Sequence, residues 1–380
     1  MGCGPSVQQA EDGTFGCTDD PVATIRRRQR QGAPFCDLHM SRWTNDPEGA
    51  ANDLIGRSLD AIGLSGRILL ANQACNLCSL LAARGTKFCA WNRRHSGRVT
   101  AAPWPPAGPF EIVLLRLPRA KDEQEMAAHA CLSVLSPGGR LVVFGGNDEG
   151  IRTAARMLEE LCGGIETLAT RGHGRVVAAR RPSATLRLRA SLSAWRSMAP
   201  LEVGGQRRRW ISYPGVFAAD RIDAGTALML GALPPLGVGA RVLDYGCGSG
   251  LIGAAALAQS SSITLDALDS DSVALQAARE NIASARLILG TALGEVGAAR
   301  YDAILSNPPL HQEVAEDHAL LHQLIAAAPA HLLAGGVLQI VVQRRIPLDR
   351  LLSQHFAAVT VAVETGRYRV WRAHAHRPPR

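Results

Sequence analysis

Short apolar runs recur along this chain, each closed by glycine, proline or charged residues and each followed by a longer stretch with helical spacing. Arg67-Ile-Leu-Leu70, Ile112-Val-Leu-Leu115 and Arg140-Leu-Val-Val-Phe144 are too short for core helices. They are apolar throughout rather than alternating, which is the pattern of strands buried on both faces. A helix is predicted from Glu123 to Leu135, between the second and third of these runs. The same alternation returns later: Arg241-Val-Leu-Asp244, a helix over Leu251 to Ala258, Ile263-Thr-Leu-Asp-Ala-Leu268, Tyr301-Asp-Ala-Ile-Leu-Ser306 and the run ending at Val342. Tyr368-Arg-Val-Trp371 is expected to return antiparallel as the second strand of a final hairpin. Strands alternating with helices predict an α/β fold with doubly wound, mostly parallel sheets.

The two alternating blocks read as copies. His331-Leu-Leu-Ala-Gly335-Gly336-Val-Leu-Gln-Ile-Val-Val342 repeats the helix end, Gly-Gly turn and apolar strand around Ser136-Pro-Gly-Gly139, and Arg67-Ile-Leu-Leu70 aligns with Arg241-Val-Leu-Asp244. A matching order of elements is stronger support for duplication than either turn alone. The first copy is shorter by about 23 residues: Arg67 to Gly138 spans 71 positions and Arg241 to Gly335 spans 94. The expected division is a disordered extension over 1–39, a first domain over 40–181, a basic connector over 182–209 and a second domain over 210–380. Residues 1–39 are polar, with no apolar period, and Met40 is the expected functional start.

Chemistry concentrates in the second copy. Asp244-Tyr245-Gly246-Cys247-Gly248-Ser249-Gly250 places an acid and three alternate glycines at the end of a strand, where glycine allows backbone angles barred to other residues and close approach to a ligand. Such a turn lies at the carboxyl end of an open sheet, where nucleotide-like ligands bind. Ser306-Asn307-Pro308-Pro309 ends another strand in a stiff loop, because proline fixes its own backbone and restricts its predecessor. The Asn307 side-chain oxygen and the Pro308 carbonyl can accept both hydrogens of an amino or amide nitrogen and aim its lone pair, which is catalysis by positioning and electrostatics. The corresponding places in the first copy read Ala-Asn-Gln-Ala-Cys75 and Arg-Leu-Pro-Arg-Ala-Lys121, without glycine loop or Asn-Pro-Pro. That copy is therefore expected to be degenerate, a scaffold or a half that holds a polyanionic substrate. Arg116, Arg119 and Lys121 suit either such a contact or a solvated loop.

Composition narrows the setting. The chain has 380 residues, 47% hydrophobic and 19% charged, with no apolar run long enough to cross a membrane and no secretory segment at its start. A cytoplasmic location is expected. Nine cysteines without a paired spacing read as reduced thiols. Cys75 and Cys78 with Cys89 and His95 lack the second pair of a zinc ribbon, so no metal site is expected. His318, His322 and His331 read as surface or capping residues. The net charge of +8, with clusters at Arg26–Arg30, Arg207–Arg209 and Arg344–Arg345, favours a polyanionic partner, although any single run is equally a solvated face.

The glycine spacing after an acid resembles that of S-adenosylmethionine (SAM) methyltransferases. The block order, the Asn307-Pro308-Pro309-Leu310-His311 loop, and Ile211-Ser-Tyr-Pro214-Gly215-Val216-Phe217 with Asp223-Ala-Gly225 resemble the tandem-domain ribosomal RNA guanine-N2 methyltransferases (the RsmC and RlmG type), whose catalytic half is a methyltransferase small domain. The resemblance is strongest from about 205 to 372, weaker from 110 to 155, and absent from 1–39. It implies two tandem Rossmann-like methyltransferase domains, the N-terminal one degenerate and the C-terminal one catalytic. By the same resemblance SAM lies against Asp244, Tyr245, Gly246, Cys247, Gly248, Gly250, Asp269 and Thr291. Asp269 takes the ribose hydroxyls, a role that leaves helix capping to Asp271. Asn307, Pro308 and Pro309 are the implied catalytic loop, with Leu310, His311 and Phe217 on the substrate side and Pro214 to Phe217 as a strap. The implied partner is ribosomal RNA or a ribosomal subunit, met by a monomer. Two departures stand out: Thr291 replaces the usual Asp or Asn near the adenine, and Leu310 replaces an aromatic that stacks on the base. The loop chemistry alone serves guanine N2, adenine N6 or a protein glutamine amide, and a non-catalytic RNA-binding assembly factor is the alternative of a different class.

Overall fold

A computed structural model of the chain describes residues 47–72, 75–96, 99, 101–183, 187–217, 221–308 and 315–375. The extension before Met40 falls outside them. The first block runs α1 (Pro47–Ile62), β1 (Ile68–Ala71), α2 (Cys75–Ala83), β2 (Cys89–Trp91), β3 (Phe110–Arg116), α3 (Lys121–Val134), β4 (Leu135–Gly146), α4 (Ile151–Cys162), β5 (Glu166–Arg171) and β6 (Gly174–Arg180). A hairpin follows, β7 (Ser197–Val203) and β8 (Gln206–Ser212), then α5 (Ala224–Gly231). The second block runs β9 (Arg241–Tyr245), α6 (Leu251–Leu257), β10 (Thr264–Asp269), α7 (Ser272–Asn281), β11 (Arg286–Leu289), β12 (Tyr301–Ser306), α8 (Ala315–Ala327), β13 (Leu332–Gln343), α9 (Asp349–His355), β14 (Ala358–Glu364) and β15 (Tyr368–His374).

Among the described residues the strands form one sheet ordered β2-β1-β3-β4-β6-β5 and another ordered β11-β10-β9-β12-β13-β15-β14. In each, the inner strands are parallel and the last two antiparallel, β4 to β6 to β5 and β13 to β15 to β14. Apolar residues face both ways. Val242, Ala303 and Leu305 enter one core layer, while Leu243, Tyr245 and Ile304 enter the layer on the opposite face. The stretch expected as a connector is more ordered than its composition suggested. Trp210 and Ile211 of β8 are buried, and Trp210 Nε1 donates to Ser249 Oγ at 2.9 Å, which anchors the hairpin to the second sheet's helical layer.

Strand registers establish the duplication position by position. Ile68 pairs with Ile112, and Ile112 with Arg140; Val242 pairs with Ala303, and Ala303 with Val337. Arg116 of the first block therefore occupies the place of Asn307. Likewise Ala71 pairs with Trp91 and Tyr245 with Leu268, so Asn72 matches Gly246 and Asn92 matches Asp269. The backbone agrees: Asn72 N donates to Trp91 O at 2.9 Å as Gly246 N does to Leu268 O at 2.8 Å, and both residues have positive φ, 56° and 69°.

The blocks meet through matching loops. Arg94 and Asp271, equivalent by this register, form an antiparallel bridge in which His95 N donates to Ser270 O at 2.7 Å and Ser272 N to Arg93 O at 3.1 Å. Pairing of equivalent residues is the geometry of a two-fold contact. The contact faces the carboxyl ends of the two sheets toward each other.

Candidate active site

The glycine loop departs from β9 beside the acid that precedes it. Asp244 is fully buried; its Oδ2 accepts from Gly253 N at 2.8 Å, and Oδ1 has no hydrogen-bond partner among the described residues. Burial pushes its carboxyl up to about 7. Gly246 and Gly248 have φ of 69° and 54°, and a Cβ on either would meet nothing within 4 Å, so both border open space. Gly250 differs: its φ of 91° disfavours any side chain at the start of α6, and a Cβ there would also press on the end of the Ile282 side chain, 2.8 Å from Cδ1. Cys247 is buried, and burial raises its thiol well above the ordinary range, in keeping with a packing role.

Asp269 ends β10 across the loop. Its Oδ2 accepts from Gly248 N and its Oδ1 from Asp271 N, both at 2.8 Å. Burial and the neighbouring Asp271 push its carboxyl up to about 6. Asp271 caps α7 through Val273 N and Ala274 N, the capping role the sequence left to it. Thr291 offers its backbone here: its carbonyl accepts from the Tyr245 hydroxyl at 2.5 Å.

Ser306 pairs with Tyr245 in the sheet and its Oγ donates to Tyr245 O at 2.8 Å, so Asn307 leaves β12 beside Gly246. Asn307 Nδ2 donates to Thr226 Oγ1 at 2.9 Å. Pro308 follows within the described residues, while Pro309, Leu310 and His311 lie outside them. Phe217 is 58% exposed. The strap before it is tied to the first block, with Pro214 O accepting from Arg93 Nη1 at 2.8 Å and Gly215 N donating to Asp122 at 3.0 Å.

The first block also braces the Asp269 loop. Arg93 Nε donates to both Asp271 oxygens, at 2.8 and 2.9 Å, and Arg94 forms a two-pronged pair with Glu123 at 2.7 and 2.8 Å. Burial alone would raise Asp271, yet Arg93 and Arg94 hold its carboxyl below the usual range. The expectation that Arg116 could contact a polyanionic substrate is corrected here. Arg116 is buried and pairs with Glu149 at 2.6 and 2.8 Å, a pair that fills the place corresponding to Asn307, and burial takes it out of reach of a polyanion. Arg119 and Lys121 remain exposed.

Two family models match this chain, the methyltransferase small domain over residues 208–372 and the methyltransferase small domain N-terminal over residues 67–175. Ribosomal RNA small subunit methyltransferase C of Stutzerimonas stutzeri (strain A1501) is 30% identical over 324 residues, covering 81% of this chain and 94% of that protein. Its counterpart in Yersinia pestis (strain Pestoides F) is 31% identical over 271 residues, covering 69% and 74%. The chain belongs to the ribosomal RNA small subunit methyltransferase C family. The solved structure of the Thermus thermophilus 16S rRNA N2 G1207 methyltransferase (RsmC), in complex with AdoMet and guanosine, superposes with a TM-score of 0.74 at 25% identity, covering 89% of this chain and 94% of that one. Like the rest of its family, this chain is a SAM-dependent methyltransferase with two Rossmann-like domains.

The residues present fit that cofactor. The unpartnered Asp244 Oδ1 is an acceptor suited to an ammonium, and Gly246 and Gly248 leave a cradle that side chains would fill. Among the described residues no group of three or more His, Cys, Asp or Glu side chains could hold a metal ion, and no helix is long and apolar enough to cross a membrane. Cys78 is buried on α2, and His331 Nδ1 lies 3.1 Å from Ala299 O. Sequence reading missed Thr226, Gly253 and the Arg93–Asp271 contact. Asp223 caps α5 in the structure, but nothing in Asp223-Ala-Gly-Thr226 points to Asn307, 81 residues on.

Proposed function

We propose that this enzyme methylates the exocyclic N2 of a guanine in small-subunit ribosomal RNA. The observation that carries the reading is the placement of Asn307, beside the glycine loop and with its amide nitrogen engaged by Thr226, which leaves its oxygen as an acceptor for the target amino group. In this reading Asn307 Oδ1 and the Pro308 carbonyl accept the two amino hydrogens and hold the nitrogen lone pair in line, with Pro309 stiffening the loop. Asp244, Tyr245, Gly246, Cys247, Gly248 and Gly250 border the methionine end of the cofactor, and Asp269 and Thr291 its nucleoside end. Bound SAM supplies an electrophilic methyl group. Leu310, His311 and Phe217 meet the base, which must be unstacked to reach the loop.

The choice of guanine N2 is supported by the family and by the Thermus relative described as a 16S rRNA N2 methyltransferase. The domain over 210–380 performs the chemistry, and that over 40–181 acts as a scaffold or as an RNA-holding half. Exposed Arg207, Arg208 and Arg209 on β8 suit phosphate contacts. We read the enzyme as a cytoplasmic monomer. The test is transfer of tritiated methyl from SAM to small-subunit particles lacking the modification, followed by nucleoside analysis. Labelled N2-methylguanosine is expected; label in N6-methyladenosine or in protein would overturn the assignment.

A further inference from the structure

The two ends of an asparagine amide are nearly the same shape, and only one of them accepts hydrogen bonds. The chemistry of the Asn307 loop therefore depends on which end faces the substrate. Resting on the reading of Asn307 as acceptor for the target amino group, we infer that Asp223 and Thr226 are positioning residues that fix this orientation.

The direction of each bond follows from the one before it. Asp223 caps α5, with Oδ1 accepting from Gly225 N at 2.9 Å and Thr226 N at 3.2 Å. Its second oxygen, Oδ2, is in hydrogen-bond contact with Thr226 Oγ1. An ionised carboxylate can only accept, so the single hydroxyl proton of Thr226 is directed to Asp223. Thr226 Oγ1 is then an acceptor toward its other neighbour. That neighbour is Asn307 Nδ2, at 2.9 Å. A flipped amide would set two oxygens together with no proton between them. Thr226 is 3% exposed, so little water is at hand to relieve that arrangement. The only compatible orientation engages Nδ2 with Thr226 and leaves Oδ1 free for the substrate.

The packing holds the relay in place. A Cβ at Gly225 would lie 3.1 Å from both Asp223 Oδ1 and the Tyr368 ring, so glycine lets the first turn of α5 sit close against β15. Asp223 and Thr226 touch neither cofactor nor substrate in this account. Their effect passes through Asn307.

The experiment compares Thr226→Val, Thr226→Ser, Asp223→Asn and Asn307→Ala in methyl transfer to small-subunit particles, with SAM binding by calorimetry and thermal melting measured alongside. Valine keeps the shape of threonine without its hydroxyl, and serine restores the hydroxyl. The amide introduced by Asp223→Asn would keep the capping oxygen but bring an N–H that can donate to Thr226, releasing the hydroxyl proton toward Asn307 and permitting the inverted amide. Thr226→Val is expected to lower kcat about 10- to 100-fold, at or below the lower end of the roughly 100- to 1,000-fold for losing a preorganised group that itself faces the reacting atoms, with SAM affinity within about twofold. Thr226→Ser should recover most of the loss, and Asp223→Asn should lower kcat with melting close to wild type. Wild-type kcat in Thr226→Val or Asp223→Asn, with Asn307→Ala inactive, would overturn the relay and leave the Asn307 reading intact. Full activity in Asn307→Ala would overturn both.

Discussion

Asp244 carries the sharpest conflict at the scale of single residues. It is a buried carboxyl with one oxygen unpartnered, raised to about 7 against an ordinary value of about 4. A group raised in this way stabilises the cofactor-free fold fully below pH ~4, and that contribution is lost as the pH climbs through about 7. With the SAM ammonium placed against Asp244 as proposed, binding requires the ionised form. SAM affinity is therefore expected to fall as pH drops from 8 to 6, with Asp269, raised to about 6, adding to the fall below that. Asp244→Asn should melt at or above wild type at pH 8 without SAM, bind SAM about tenfold or more weakly, and lose much of the pH dependence. Calorimetry at three pH values checks all of this; a wild-type affinity that rises on acidification would contradict it. The acid's place was legible in the sequence from the strand and glycine spacing. Its unpartnered oxygen was not, because that depends on Gly253 approaching from α6.

Elements show where glycine is structural and where it makes room. Gly250 starts α6 at φ 91°, so Gly250→Ala forces a non-glycine residue into the left-handed region and displaces the end of the Ile282 side chain, and should cost about 1–3 kcal/mol by urea denaturation. A loss under about 0.5 kcal/mol would mean that the turn relaxes more easily than its packing indicates. The strands were legible because each is a short apolar run closed by a turn residue: Tyr301–Ser306 matches β12 at both ends. The β7–β8 hairpin was hidden because Arg207, Arg208 and Arg209 give it the composition of a linker. Its order comes instead from Trp210 packing and bonding to the glycine-loop residue Ser249. Periodicity sees contacts within an element, whereas this one links elements far apart in sequence.

At the scale of the whole molecule, the degenerate domain braces the loop proposed to hold the cofactor. Arg93 is buried, grips both oxygens of Asp271, two residues from the acid Asp269, and holds the strap through Pro214. Arg93→Met should leave the Asp271 carboxylate to Arg94 alone, at 3.3 Å, cost less than the ~3–5 kcal/mol of a fully stranded buried charge and raise the KM for SAM more than it lowers kcat. Adding Asp271→Asn, which keeps the helix cap, should recover part of the stability, as a double-mutant cycle would show; strict additivity would count against the latch. The duplication itself was legible from the repeated order of elements. The two-fold meeting of the copies was not, since Arg93 and Asp271 are 178 residues apart and only the folded chain joins them. The central claim, that this molecule places N2-methylguanosine in small-subunit ribosomal RNA, is tested most directly by nucleoside mass spectrometry of that RNA from cells lacking the gene. N2-methylguanosine should fall in the deletion, return with the wild-type gene and stay low with Asn307→Ala. An unchanged N2-methylguanosine level in the deletion strain would contradict it.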